Sequence, residues 1–562
     1  MLLKLKSVEL SFVIFCIIIL SFLLVSSIFR ESWVYDEKLH INAGYMFLTK
    51  KDFRAEPFNP PLARELISLP LLFNYDYLKD PFLLWPRIVV VIFTILLALS
   101  VYIFSRKLYG LKSAYLALLL FIFEPEILAH GHYATTDIIT TFFVFINIFL
   151  LWYWRDNFTW RKVIIFSIFL GLAFSTKIST LPFLLFSTAF LMVIKNKPEI
   201  YKKISFKKNK DYRHWRSTFP FFAKRNPPKQ QHWSHAININ VLSAKEDKIK
   251  KIVVLIVVVC FSLWATYFFT FEPILGNRFD PNRQAISLAK SNILIKFMLT
   301  VPVPLGSYLS SIKQIFLYNY SNNFSKTAFL FGQFSNNGFT YFFPVAFAVK
   351  TPLVLLLFFF TSFILYWKRR NNEYLLIPIL VIFIFMLFSK VDLGIRYILP
   401  AYPFIIVFSS QIINPKFKFN HISNIFILLL LLFYIFSTLK YFPHYISYFN
   451  EFIESNKGYK YLIDSNSDWG QGLIDLKKYQ EDNNINNLQL AYFGSVDPSL
   501  YKIKYKRIKD WSLGDSGKIY SLDKNSTIAI SSTCWYYCGY YKHGIFGKYQ
   551  PKKIIGGSIL IF

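Results

Sequence analysis

Eleven apolar runs separated by polar stretches leave this chain few ways to fold: 8–29, 85–104, 113–128, 133–154, 163–175, 180–194, 252–271, 341–367, 374–388, 397–413 and 422–440. A run of about 20 residues crosses a hydrocarbon core of about 30 Å, where every backbone polar group must be bonded internally. Helices meet that demand and open sheets do not, so the reading is a polytopic α-helical membrane protein with about eleven transmembrane helices. The runs 163–175 and 180–194 are shorter than about 17 residues, and either cross separately or form one hairpin dipping into the membrane. A composition that is 54% hydrophobic and 20% aromatic excludes an ordinary soluble core. Lys4 and Lys6 ahead of the first run resemble a signal peptide, but the run is too long and no small-residue cleavage site precedes Arg30, so an uncleaved first span is expected.

The formal net charge is +31, and its placement matters more than its size. Arg106, Lys107 and Lys112, then Arg155, Arg161 and Lys162, then Lys368, Arg369 and Arg370, then Lys416 and Lys418 all fall on the side of Lys4 and Lys6 if eleven spans are counted. The excess of positive charge marks that side as cytoplasmic. A basic loop, 195–251, lies there as well. His214, His232 and His235 within it lack the tight spacing of a metal site, and an anionic lipid surface suits such a loop better. No stacking or groove-reading module accompanies the basic residues, so nucleic acid is not expected as a partner. The first loop (31–85), the loop 272–340 with amphipathic segments 286–300 and 309–320, and everything after 441 are then extracytoplasmic.

From 441 Gly, Asp, Asn and Lys become commoner and apolar runs shorten. Residues 461–464, 488–493, 527–531 and 554–562 read as strands and 472–481 as a helix, which gives a C-terminal α/β domain over 441–562 after a transmembrane domain over 1–440. Of four cysteines, Cys16 and Cys260 sit in apolar runs, while Cys534 and Cys538 in the tail are either bridged or two spare thiols. There is no GxGxxG or GxxxxGK[ST] phosphate loop, so nucleotide hydrolysis has no visible machinery.

Four polar groups of residues stand at expected outward helix ends. The first is Asp36, Glu37 and His40, with Asn59, Pro60, Pro61 and Arg64 later in the same loop. A helix beginning near Asp36 puts Asp36 and His40 on one face; a carboxylate there caps a helix or does chemistry. The second is Glu124, Glu126, His130, His132 and Asp137, where a His-x-His with nearby acids suggests a divalent metal but lacks a matching third ligand. The third is Lys177, which either meets a lipid phosphate or snorkels to the interface. The fourth is the turn holding Lys390, Asp392, Arg396 and Tyr397, where Arg396 either grips a phosphate as a planar fork or pairs with Asp392. Together they describe transfer from a lipid phosphate: a carboxylate accepts the proton of an attacking hydroxyl while cations stabilise the departing phosphate.

The order DE…H…GY at 36–45, NPPLA at 59–63, LAHGHYATTD at 128–137, GIRYILPAYP at 394–403 and DSNSDWGQGL at 464–473 resembles glycosyltransferase family 39. That family holds the protein O-mannosyltransferases and, more distantly, the lipid A aminoarabinose transferases. The resemblance implies a GT-C fold, a polyprenyl-phosphate-linked sugar as donor and inversion at the anomeric carbon. By it Asp36 is the catalytic base, Glu37 its neighbour in the acidic pair and Asp137 a second acid facing the site. Many relatives have His where this chain has Asn59, and the β-trefoil domains of eukaryotic protein mannosyltransferases are not apparent. Asp468, Trp469 and Gln471 match a family pattern and either pack over the site or contact the acceptor.

The expected function is a plasma-membrane glycosyltransferase that moves a mannose-like hexose from polyprenyl phosphate to a hydroxyl of a protein or of a lipid or glycan. A transporter or flippase of a lipid-linked sugar is the alternative; transporters tend to show repeated halves and a mid-membrane site.

Overall fold

The computed structural model describes residues 7–53, 56–196, 234–274, 293–320, 328–413, 421–454, 456–510, 523, 526–542 and 550–562. Helices α1 (Ser7–Ile28), α2 (Glu37–Lys50), α3 (Leu62–Ser68), α4 (Leu84–Tyr109), α5 (Leu111–Ile122), α6 (Pro125–His130), α7 (Asp137–Trp154), α8 (Trp160–Phe174) and α9 (Thr180–Asn196) open the chain. Further helices cover Ser234–Ala265, Phe342–Lys350, Leu353–Tyr366, Glu373–Leu387, Tyr402–Ser409 and His421–Leu439. Every apolar run of the sequence is occupied by one of these helices or by a broken pair, and the chain is a multi-pass membrane protein. Most of the expected basic loop, the segment 286–292 and the loop 414–420 lie outside the described residues.

The helices that fill these runs differ in length. Among the described residues four helices are long and apolar enough to cross alone: Ser7–Ile28, Leu84–Tyr109, Asp137–Trp154 and the Ile395–Ile413 stretch. A fifth arises if Phe342–Lys350 and Leu353–Tyr366, bent by 114° at Thr351–Pro352, are one span. The breaks within the apolar runs have local causes. Pro352 cannot donate into a continuing ladder. The expected run 113–128 is split because the Glu124 side chain accepts from Ile127 N at 2.7 Å and Pro125 starts a new helix. The runs 163–175 and 180–194 form two separate helices, α8 and α9.

Two buried cations hold the helical body to the rest of the chain. Arg87 of α4 is fully buried and donates to Glu37 through Nε (2.8 Å) and Nη2 (2.8 Å), and to the carbonyls of Ile28, Glu31 and Ser32. Lys350 spends Nζ on the carbonyls of Ile446 (2.8 Å), Tyr448 (2.7 Å) and Asn466 (2.8 Å), with Glu126 at 3.0 Å. A charge at such depth is tolerated only when its donors are spent in this way.

The C-terminal sheet has the order β2-β1-β3-β5-β4, with β1 Leu488–Ala491, β2 Lys506–Arg507, β3 Thr527–Ser531, β4 Lys553–Ile555 and β5 Ile559–Ile561. β1 runs parallel to β2 and β3, while β5 is antiparallel to β3 and β4. The Leu473–Asp482 helix packs beside it. The expected strand 461–464 does not form; that stretch ends in a tight turn at Asp464–Asn466 whose side chains bind the loop before Arg396. The expected single strand 554–562 is a hairpin turning on Gly556 and Gly557, both at positive φ. Residues 441–454 and 456–466 run as short turns against the helical body, so the sheet begins well after the change in composition. Cys534 and Cys538 are disulfide-bonded.

Replacing Arg87 by Met leaves Glu37 buried without its cation and lowers stability by about 3–5 kcal/mol. Replacing Lys79, whose pair with Asp76 is exposed, costs less than about 1 kcal/mol. Thermal unfolding in detergent, read side by side for the two variants, checks the contrast.

Candidate active site

The four polar groups come together at one end of the helical body. α1 ends there, α4 and α7 begin there, and α8 passes to α9 there through Lys177. The chain after α1 is fixed against the C-terminal segment by backbone bonds: Tyr35 N donates to Trp469 O (2.8 Å), Ser32 N to Gln471 O (3.0 Å), and Leu473 N to Ser32 Oγ (3.0 Å). Asp36, next in sequence, is thereby held at the start of α2.

Arg396 is the centre of the cluster. Its Nη1 donates to Asp36 Oδ2 at 2.7 Å and lies 3.8 Å from Asp137 Oδ2. The guanidinium carbon stands 4.3 Å from the centroid of the Trp469 ring and 5.4 Å from that of Tyr397. Asp137 also receives Lys177 Nζ at 2.9 Å, and that ammonium sits 4.7 Å from the Tyr397 ring. Arg396 is placed by backbone: Ile395 N donates to Asn466 Oδ1 (2.9 Å), and at Gly394 a Cβ would stand 2.1 Å from Ser465 Oγ. Among the described residues the Asp36 contact is the sole hydrogen bond of this guanidinium, and its Nε is buried with no partner. A five-donor fork with donors to spare, in a half-apolar wall, is built to receive an anion.

A cavity of about 230 Å³ opens in front of it. Asp36, Arg396, Trp469 and Asp464 line it, and Tyr35 and Phe493 stack on one another at 5.1 Å along one wall. Burial pushes the Asp36 carboxyl up, but Arg396, with His40 adding to it, holds the group below its ordinary value. Burial lifts Asp464 to about 7, with Arg396 opposing only in part. Asp392, raised to about 6 by burial, does not pair with Arg396; Phe339 N donates to it at 2.5 Å.

Other residues singled out from the sequence take supporting positions. Glu37 is fully buried and spends both oxygens on Arg87, Val34 N and Ala134 N, so it turns away from the cavity. His40 Nδ1 accepts from Arg64 Nε at 3.1 Å, and burial together with Arg64 lowers it to about 3, which keeps the ring neutral. Arg64 is ion-paired with Glu56 and donates to the Asn59 carbonyl at 3.4 Å. His132 contacts Glu31 (2.7 Å) and the Leu128 carbonyl (2.9 Å), while His130 lies near Glu126 and the Trp469 ring. The two histidines therefore do not converge, and among the described residues no group of three or more His, Cys, Asp or Glu is gathered to hold a metal ion. Asp468 accepts from Ser531, Thr533 N and Gly470 N, and Gln471 from Trp469 N, as turn-building contacts.

Sequence reasoning missed Tyr35, Tyr318, Asp464, Phe493 and Tyr537, all of which line the cavity. Asp464 opens the DSNSDWGQGL motif and was legible there; Phe493 and Tyr537 carried no local signal among so many aromatics.

Residues 10–223 match the profile of the family described as Dolichyl-phosphate-mannose-protein mannosyltransferase. No match was found among curated proteins. Of solved structures, ArnT from Cupriavidus metallidurans in the apo state is similar at 10% identity over 99% of this chain and 98% of that one, with a TM-score of 0.46. The same protein bound to undecaprenyl phosphate gives 11% identity over 78% and 70% of the two chains, with a TM-score of 0.44. Archaeal oligosaccharyltransferase AglB from Archaeoglobus fulgidus, in complex with an inhibitory peptide and a dolichol-phosphate, gives 14% identity over 85% and 58%, with a TM-score of 0.40. The resemblance to glycosyltransferase family 39 is thus matched by a mannosyltransferase profile over 10–223, the part of this chain that carries Asp36, Glu37, Asp137 and Lys177.

Proposed function

We propose that this membrane protein is a glycosyltransferase that moves a mannose-like hexose from a polyprenyl phosphate to a hydroxyl of a protein, or of a lipid or glycan. The observation that carries the reading is the contact of Asp36 and Arg396 at 2.7 Å in the wall of one cavity. Asp36 takes the proton of the acceptor hydroxyl, whose oxygen attacks the anomeric carbon from the face opposite the phosphate. The bond from that carbon to the phosphate oxygen breaks, and the electron pair leaves with the phosphate. Arg396 receives the developing charge, with Lys177 behind it, and inversion follows from the direction of attack. A phosphate leaving group needs no acid, so one carboxylate and a cationic pocket suffice.

In this reading Asp137 holds Lys177 and Arg396 in place, Glu37 anchors the segment that presents Asp36, and Trp469 is the floor beneath Arg396. His40, Arg64 and Asn59 brace the first loop, and Asp468 and Gln471 shape the turn around Trp469. The amino terminus is cytoplasmic and the sheet extracytoplasmic, at the plasma membrane. The Cys534–Cys538 bond supports an oxidising compartment for the tail. Transport is disfavoured because the polar side chains gather at helix ends and not at the middle of the membrane. A reconstituted assay tests the proposal: sugar found covalently on an acceptor supports transfer, and donor crossing the bilayer unchanged supports the transporter.

Asp36→Asn removes the base and lowers kcat about 100- to 10,000-fold while retaining polyprenyl phosphate binding; single-turnover kinetics with a lipid-binding control reads both. Because Arg396 holds the Asp36 carboxyl below its ordinary value, the acid limb of kcat/KM from this group lies below the usual carboxylate range. In Arg396→Gln burial loses its main opponent and that limb moves to higher pH, as a pH–rate profile of the two proteins will display.

A further inference from the structure

Asp464 is the one acid of the cavity wall contributed by the turn before the C-terminal sheet, and nothing above uses it. It is 9% exposed, lines the cavity, and has a left-handed backbone with φ 59°. Its own N–H donates to Thr533 Oγ1 at 2.9 Å, and its Oδ1 accepts from Ser465 N at 2.6 Å. Among the described residues Oδ2 has no partner. A non-glycine residue in that conformation is strained, and neighbours must impose it. Here Thr533, Ser465 and Asn466 do so, and through Leu393 and Ile395 the same turn fixes Arg396.

The wall beside it is aromatic. Tyr35 and Phe493 stack at 5.1 Å with 12° between their planes, and Tyr537 lies 6.4 Å from Phe493. A pyranose ring has an apolar C–H face that covers aromatic surface and hydroxyls at its edge that donate to carboxylates. We propose, resting on the transferase reading, that Asp464 with the Tyr35–Phe493 stack forms the subsite for the sugar ring of the donor, Asp464 Oδ2 accepting from ring hydroxyls while Arg396 holds the phosphate. Two observations favour a neutral, hydroxyl-rich ligand here over a second anion. The wall carries Asp36, Asp392 and Asp464 against Arg396 and Lys390, and burial raises Asp464, as expected of a carboxylate short of donors. The residue is a specificity determinant and takes no part in the bond that breaks.

The test measures affinity of the full chain, in detergent, for undecaprenyl phosphate and for its mannosyl, glucosyl and N-acetylglucosaminyl conjugates. In the unaltered protein at least one conjugate binds more tightly than the bare lipid. Asp464→Asn loses that increment, about tenfold, with bare-lipid affinity unchanged. Phe493→Leu, which removes the platform without touching the Asp464 turn, loses it as well and stands in if the first variant does not fold. The proposal is overturned if no conjugate exceeds the bare lipid, if the increment survives in the variants, or if both affinities fall together, as a purely structural role would give. Failure of the bare lipid itself to bind the unaltered protein would instead strike the transferase reading.

Discussion

A single guanidinium gathers the distant parts of this molecule. Arg396 touches Asp36 after the first helix, approaches Asp137 at the head of the seventh, and lies over Trp469 from the C-terminal segment. Those residues are spread along the chain from position 36 to position 469, yet each contributes the type of surface a buried cation requires: two carboxylates for its charge and a ring face for its flat side. Remove it and two acids are left facing each other without a cation, a costly arrangement.

The rest of the architecture makes that arrangement affordable. Glu37 and Asp36 are adjacent in sequence but have opposite fates, because a helix start turns successive side chains apart. Glu37 goes inward to Arg87, which in turn collects three carbonyls at the end of α1. Asp36 goes to the cavity and keeps a partly exposed carboxylate. Lys350 does for the segment 446–466 what Arg87 does for the first loop. Both anchors are saturated, whereas Arg396 keeps donors in reserve, and that difference separates scaffold from site.

Much of this was legible in the sequence. Apolar runs located the helices, and charge asymmetry together with run parity placed Asp36, Asp137, Lys177 and Arg396 on one side, where the structure brings them into contact. Of the motif DSNSDWGQGL, Trp469 lines the cavity and Asp468 is bound up in its own turn, while Asp464, not singled out from the sequence, lines the cavity as well. Where the helices break was not legible, since a composition window does not register the capping side chain of Glu124 or the 114° bend before Leu353. Nor was the partner of Arg396, because Asp392 is nearer in sequence and the competing Asp36 is 360 residues away. Long-range pairing of this kind is decided by packing, which local pattern does not encode.

The most direct measurement on the central claim is photo-crosslinking with a polyprenyl phosphate that carries a diazirine beside the phosphate, followed by peptide mass spectrometry. The cavity centred on Arg396 predicts label in 393–397 and in the Tyr35–Asp36 segment, competed by unmodified polyprenyl phosphate. Label confined to the opposite ends of α4 and α7, or insensitive to that competitor, would contradict it.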